Sequence, residues 1–160
     1  MRQAACRRVV LRRASQLNVC ALAINLAGKK VERCTETASV QSRVYETFRS
    51  LGEECREAHD DMEEQFSGTG RYQAIGTTAD ELEDLEKPEV PDALRRKVVS
   101  CEEWYSWKPL SRANRCAEAC QRLNAIIMAV EGVEDPDVAD FREELREHVD
   151  VAENCEFPSW

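Results

Sequence analysis

Eight cysteines are the residues with most chemistry to offer: Cys6, Cys20, Cys34, Cys55, Cys101, Cys116, Cys120 and Cys155. A thiol can join a disulfide, bind a soft metal, or stay reduced and pack as a small apolar group. Cys6, Cys20 and Cys34 follow one another at intervals of fourteen residues. That is about 21 Å along a continuous helix, whereas the Cα atoms of a disulfide lie within about 7 Å. The first four cysteines therefore need partners on a facing helix, and the second half of the chain supplies four. Inter-helix disulfides are the leading expectation, with every cysteine on the apolar stripe of its helix. Buried, reduced thiols are the second reading. Zinc is the third, because Cys116 and Cys120 stand one turn apart and could share an ion with Cys101 or Cys155. The tight Cys-x2-Cys turns typical of structural zinc are missing, however.

Other reactive residue types do not assemble into a site. His59 sits one turn from both Cys55 and Glu63, but its surroundings, EAHDDMEE, read as an acidic solvated helix face. His148 follows Glu144 by one turn without the Glu-x-x-His spacing of a di-iron bundle. The Gly-Thr-Gly at 68–70 has neither the Lys-Ser nor the preceding strand of a phosphate loop. The expectation is a protein with no catalytic residues, no cofactor and no metal, and so not an enzyme. Trp104, Tyr105 and Trp107 form the densest aromatic patch, and the chain ends on Trp160. Such a cluster either plugs the end of a helical bundle or anchors a partner.

The elements that must position these residues read as helices. Steps of four and three from Cys6 reach Val10, Arg13, Leu17, Cys20, Ile24, Ala27, Val31, Cys34, Ala38, Gln41, Tyr45 and Phe48, and then Leu51, Cys55, Ala58, Met62 and Phe66. This heptad stripe predicts one long helix, or two in line, over 3–66. Residues 67–91 read as a glycine-rich loop, a short acidic helix opened by a Thr78–Glu81 capping box, and a stiff Lys-Pro-Glu-Val-Pro linker. Further helices are predicted over 91–108 (Leu94, Val98, Cys101, Tyr105), 110–131 and 136–155. No strand pattern is apparent. The expected fold class is all-α: a single domain over 1–160 of long antiparallel helices, a hairpin or bundle, cross-linked by disulfides. Matching spans along facing helices place Cys55 near Cys101 and Cys34 near Cys120.

At 160 residues, 42% hydrophobic and 33% charged, the chain has the composition of one ordinary folded domain. Its net charge of −9 counts against nucleic acid as a partner. Residues 1–31 carry seven basic side chains and no acid, while the remainder carries fifteen basic against thirty-one acidic. An acid-free, Arg-rich amphipathic start has the character of a mitochondrial transit peptide, or of a basic face lying on an acidic neighbour. No secretory signal peptide is apparent. The longest apolar runs, Val19–Ile24 and Ala125–Val130, are far short of the roughly 20 residues that span a bilayer.

Cys20-x13-Cys34 on the first helix and Cys101-x14-Cys116-x3-Cys120 on the next two resemble the coiled-coil-helix proteins of the mitochondrial intermembrane space. The twin Cys-x9-Cys pairs of that class are not present. The resemblance implies an oxidised, disulfide-bonded helical protein serving as a non-catalytic accessory subunit of a respiratory-chain type complex, peripheral to the inner membrane. Expected partners are other protein subunits, with contact to a membrane surface as a further expectation. Candidate interface residues are Arg7, Arg8, Arg12, Arg13, Leu17, Ile24 and Val31 near the start, with Trp104, Tyr105, Trp107 and Trp160. The alternatives are a free-standing secreted or cell-surface binding module, and a cytosolic coiled-coil adaptor with reduced cysteines.

Overall fold

Ser111 and Asp135 open two of the helices that hold the core. The Ser111 hydroxyl accepts from the Asn114 amide at 3.2 Å, and the Asp135 carboxylate accepts from the Asp137 amide at 3.0 Å. Both satisfy amides that have no partner within their helix. The structure, a computed structural model, describes residues 22–24, 30–104 and 110–158. Within them run β1 (Leu22–Ile24), β2 (Lys30–Glu36), α1 (Thr37–Phe66), α2 (Gly70–Glu83), a 3-10 turn (Asp92–Leu94), β3 (Val98–Trp104), α3 (Arg112–Val130) and α4 (Pro136–Asn154).

The fold class is all-α, with the core carried by these four helices and one small sheet added. α4 buries Val138, Phe141, Leu145, Val149 and Ala152, the five positions marked by its apolar spacing. α3 buries Cys116, Cys120, Leu123, Ile127 and Val130 together with Ala119 and Ile126. From α1 come Val44, Phe48 and Leu51, each at most 1% exposed. Each such aliphatic or aromatic side chain contributes roughly 1.5–3 kcal/mol by leaving water. Gln41, only 1% exposed, escapes a burial penalty because its Nε2 donates to the Pro88 carbonyl at 2.8 Å. No helix of the described residues is long and apolar enough to cross a membrane.

The predicted helix over 3–66 is corrected in its first half. Helix α1 begins at Thr37, and residues 30–36 are a strand, paired with β1 on one side and β3 on the other. The antiparallel ladder between β2 and β3 runs from Lys30↔Trp104 to Glu36↔Val98. The strand-to-helix switch falls where the Thr37 amide and hydroxyl both donate to the Lys97 carbonyl, each at 2.9 Å. The predicted helix over 91–108 is likewise replaced, within the described residues, by the 3-10 turn and β3. Burial there has a period of two: Val99 and Cys101 are 2% and 7% exposed, while Val98 is 38% exposed and Ser100 lies on the surface. Two adjacent β-branched valines suit that pleat better than a helix. The expectation of no strands is therefore wrong for this segment and for residues 22–24 and 30–36.

The glycine-rich segment 67–77 is not a loop beyond its first residues. Helix α2 starts at Gly70, with the Thr69 hydroxyl accepting from the Tyr72 amide at 3.2 Å. Thr78 is not a cap but a buried mid-helix residue. Two glycines here serve packing. A Cβ on Gly76 would stand 2.9 Å from the His59 ring, and one on Gly52 would stand 3.0 Å from Glu83 Cγ. Helices α1 and α2 thus run antiparallel at close range. Arg56 clamps them by bonding Asp80 at 2.5 Å and Glu83 at 2.8 Å.

Candidate functional site

Four thiols converge where α1, α3 and the end of α4 meet. Cys55 comes from the middle of α1, Cys116 and Cys120 from successive turns of α3, and Cys155 from the residue that closes α4. The first three are 2–3% exposed, and Cys155 is half-buried. Cys34, Cys55, Cys116, Cys120 and Cys155 are unbridged thiols. A cavity of about 290 Å³ opens beside them, lined by Cys116, Cys120, Cys155, Ala152, Glu153 and Phe157 among others.

The electrostatics of the cluster are unequal. Cys120 is held below the ordinary thiol value, chiefly because the Cys116 S–H donates to its sulfur, with burial and Glu153 opposing. Cys116 is pushed far above it by the same hydrogen bond first and by burial second. One proton serves two sulfurs: Cys120 takes the charge and Cys116 keeps the hydrogen. When both are neutral, Cys116 Sγ instead has the Ala152 carbonyl as acceptor at 3.4 Å. Cys155 is pushed up to about 12, by burial first and then by the Glu81 carboxylate. Its sulfur donates toward the Val151 carbonyl at 3.5 Å and Glu81 Oε2 at 3.6 Å. Burial also raises Cys55, against the opposing charge of Arg112. The cluster therefore contains one thiol poised to ionise among three that resist it, and ionised thiol is the nucleophilic form.

The neighbouring residues hold this region rigid. Glu54 accepts from Arg115 Nη2 at 2.5 Å and from Arg112 Nε at 3.3 Å, tying α1 to the first turn of α3. On the other side, the Thr78 hydroxyl both donates to the Glu156 carbonyl and accepts from its amide, each at 3.0 Å. That grip fixes the segment carrying Cys155 against α2. Sequence reasoning misassigned Thr78 as a cap, since a local Thr-x-x-Glu pattern cannot reveal a partner 78 residues away.

The remaining predicted residues fall out as follows. Cys6, Cys20, Arg7, Arg8, Arg12, Arg13, Leu17, Tyr105, Trp107 and Trp160 lie outside the described residues. Cys34 sits in β2 opposite Ser100, not beside Cys120, and the cysteines in electrostatic contact with Cys55 are Cys116 and Cys155. Cys101 is opposite Arg33, one step along the ladder from the Cys34 pair. A one-residue offset puts Cys34 and Cys101 on opposite faces of the sheet. Ile24 pairs with Val31 across the β1–β2 ladder, and Trp104 pairs with Lys30 across the β2–β3 ladder, so three interface candidates share one small sheet. His59 stacks on Tyr72 with ring centroids 3.9 Å apart. Among the described residues, no group of three or more His, Cys, Asp or Glu is arranged to hold a metal ion. No protein family, curated protein or solved structure matches the chain.

Proposed function

We propose that the protein is a non-catalytic structural subunit that works by binding other protein subunits. Its proposed place is an accessory position in a respiratory-chain type membrane complex, on the intermembrane-space side of the mitochondrial inner membrane. The observation that carries the binding reading is the edge of the sheet. Strand order is β1-β2-β3, so among the described residues β3 has a neighbour on one side only. An edge strand presents a row of backbone donors and acceptors, which an extended segment of another chain can complete. The acid-free basic start and the cysteine-bearing helices support the compartment. The test uses the tagged full chain, recovered from gently solubilised mitochondria and sized under native conditions. Migration with a high-mass assembly is expected. Val98→Lys, which adds a charge at an exposed position of the edge strand, should reduce it. A chain found as a free monomer outside mitochondria would overturn the proposal.

A second reading, a cytosolic coiled-coil adaptor with reduced cysteines, is favoured by one observation, the five unbridged thiols. Counting titratable thiols in protein denatured without reductant, straight from cells, separates the two. Blocked thiols support the intermembrane-space reading and fully titratable thiols support the adaptor.

A further inference from the structure

Thiols gathered beside a cavity are a site of exchange as well as a packing feature. Only two small groups of residues line both the cavity and the sulfur cluster: one turn of α3, with Cys116 and Cys120, and the end of α4, with Ala152 to Cys155. Cys116 and Cys120 cannot readily bridge each other. Side chains four apart on a helix have Cβ atoms about 5–6 Å apart, and a disulfide holds them at about 3.8 Å. Cys155 is placed differently, on extended backbone (φ −62°, ψ 132°) just beyond the last turn of α4. Its segment is free of helical hydrogen-bonding constraints and faces Cys120 from the opposite wall.

We propose that Cys120 is a site of S-thiolation, reached through the cavity by a low-molecular-weight disulfide, and that Cys155 resolves the adduct into an inter-helix Cys120–Cys155 disulfide.

The ionised Cys120 attacks one sulfur of the disulfide R–S–S–R. A Cys120–S–S–R bond forms, the R–S–S–R bond breaks, and one R–S⁻ leaves through the cavity. Cys155 then loses its proton to water, with the Glu81 carboxylate 3.6 Å away as the first acceptor. Its sulfur attacks Cys120 Sγ and expels the second R–S⁻. Two protein thiols have lost two protons and two electrons, and R–S–S–R has gained them as two molecules of R–SH. The roles follow from the cluster. Cys116 donates to Cys120 and so favours its ionised form. Part of what keeps Cys155 protonated is the charge on Cys120 itself. That charge vanishes in the adduct, so the second step is released by the first.

The reduced full chain is incubated with glutathione disulfide at pH 7.5, quenched with acid, and mapped by non-reducing peptide mass spectrometry. The wild-type protein should lose two hydrogens and yield a peptide pair joined through Cys120 and Cys155. Cys155→Ser should stop at one glutathione on Cys120, and Cys120→Ser should take none within the cluster. Cys116→Ser, which removes the donor, should slow the first step severalfold while leaving the product the same. Cys120→Ala repeats the Cys120 arm if the serine variant fails to fold, and the wild-type map needs no variant at all. A wild-type disulfide joining Cys116 to Cys120 or Cys55 to Cys116, or a Cys155→Ser adduct on any cysteine but Cys120, would overturn the proposal. So would a wild-type chain that remains fully reduced.

Discussion

The Tyr45 hydroxyl donates to His148 Nδ1, joining α1 to α4 between residues 103 apart in sequence. The rings meet edge-on, with centroids 5.7 Å apart and an angle of 73° between their planes. Both groups are driven toward their neutral forms. Burial, then the charge of Glu144, raises Tyr45, and burial lowers His148 despite Glu144 and Glu147. A neutral His148 can accept, and so the bond holds.

That relationship has a pH signature. The folded His148 lies below its unfolded value of about 6.5. The unfolded chain therefore binds more protons across the interval between the two values. Stability from this site is complete above about pH 6.5 and declines as pH falls toward the folded value. Thermal melts of wild type and His148→Gln should diverge less at pH 5.5 than at pH 7.5. Tyr45→Phe should lower stability by about 1 kcal/mol at neutral pH. A His148→Gln penalty independent of pH would contradict this account.

Thr78→Val keeps the shape of a residue only 1% exposed but removes the hydroxyl that holds both backbone groups of Glu156. Leaving them unpaired should cost about 1–3 kcal/mol. Hydrogen exchange at the Glu156 amide should speed up well before global unfolding is affected.

Gly76→Ala would ordinarily stabilise a helix by about 1 kcal/mol. Here the new methyl meets the His59 ring at 2.9 Å, and that ring is stacked on Tyr72. The substitution should instead destabilise by about 1–3 kcal/mol through overpacking. Combined with His59→Ala it should become neutral or favourable, since the obstructing ring is gone. Denaturant melts of the two single variants and the double variant form the cycle.

Glu54 sits below its usual carboxyl value, first because Arg115 donates to it and also because Arg112 does, with burial opposing. Its contribution is present above about pH 4.3 and is lost as pH falls through the folded value. The carboxylate side chain is 34% exposed, so solvent screens the pair. Glu54→Gln should cost less than about 1 kcal/mol at neutral pH, and the difference from wild type should disappear in acid. A double-mutant cycle with Arg115→Met at two salt concentrations measures the coupling.

Residues that act within one or two turns were legible in the sequence. The Asp135-Pro136 start of α4, its five buried positions and the apolar face from Gln41 to Cys55 all follow from helical spacing, which neighbours in sequence enforce. The pairing of Cys116 with Cys120 is of the same kind. Tertiary structure alone decided the rest. Extended β2 depends on a ladder that sets Cys34 opposite Ser100, and nothing near Cys34 records that partner. A stripe spaced by threes and fours can continue through such a segment by chance, as Leu94, Val98 and Cys101 did for β3. Gly76 read as a loop signal because a glycine needed for close packing looks locally like one needed for a turn. Cys55 and Cys155 joined the thiol cluster by the same logic: their spacing to Cys120 has no local meaning, and only the packing of α1, α3 and α4 brought the sulfurs together.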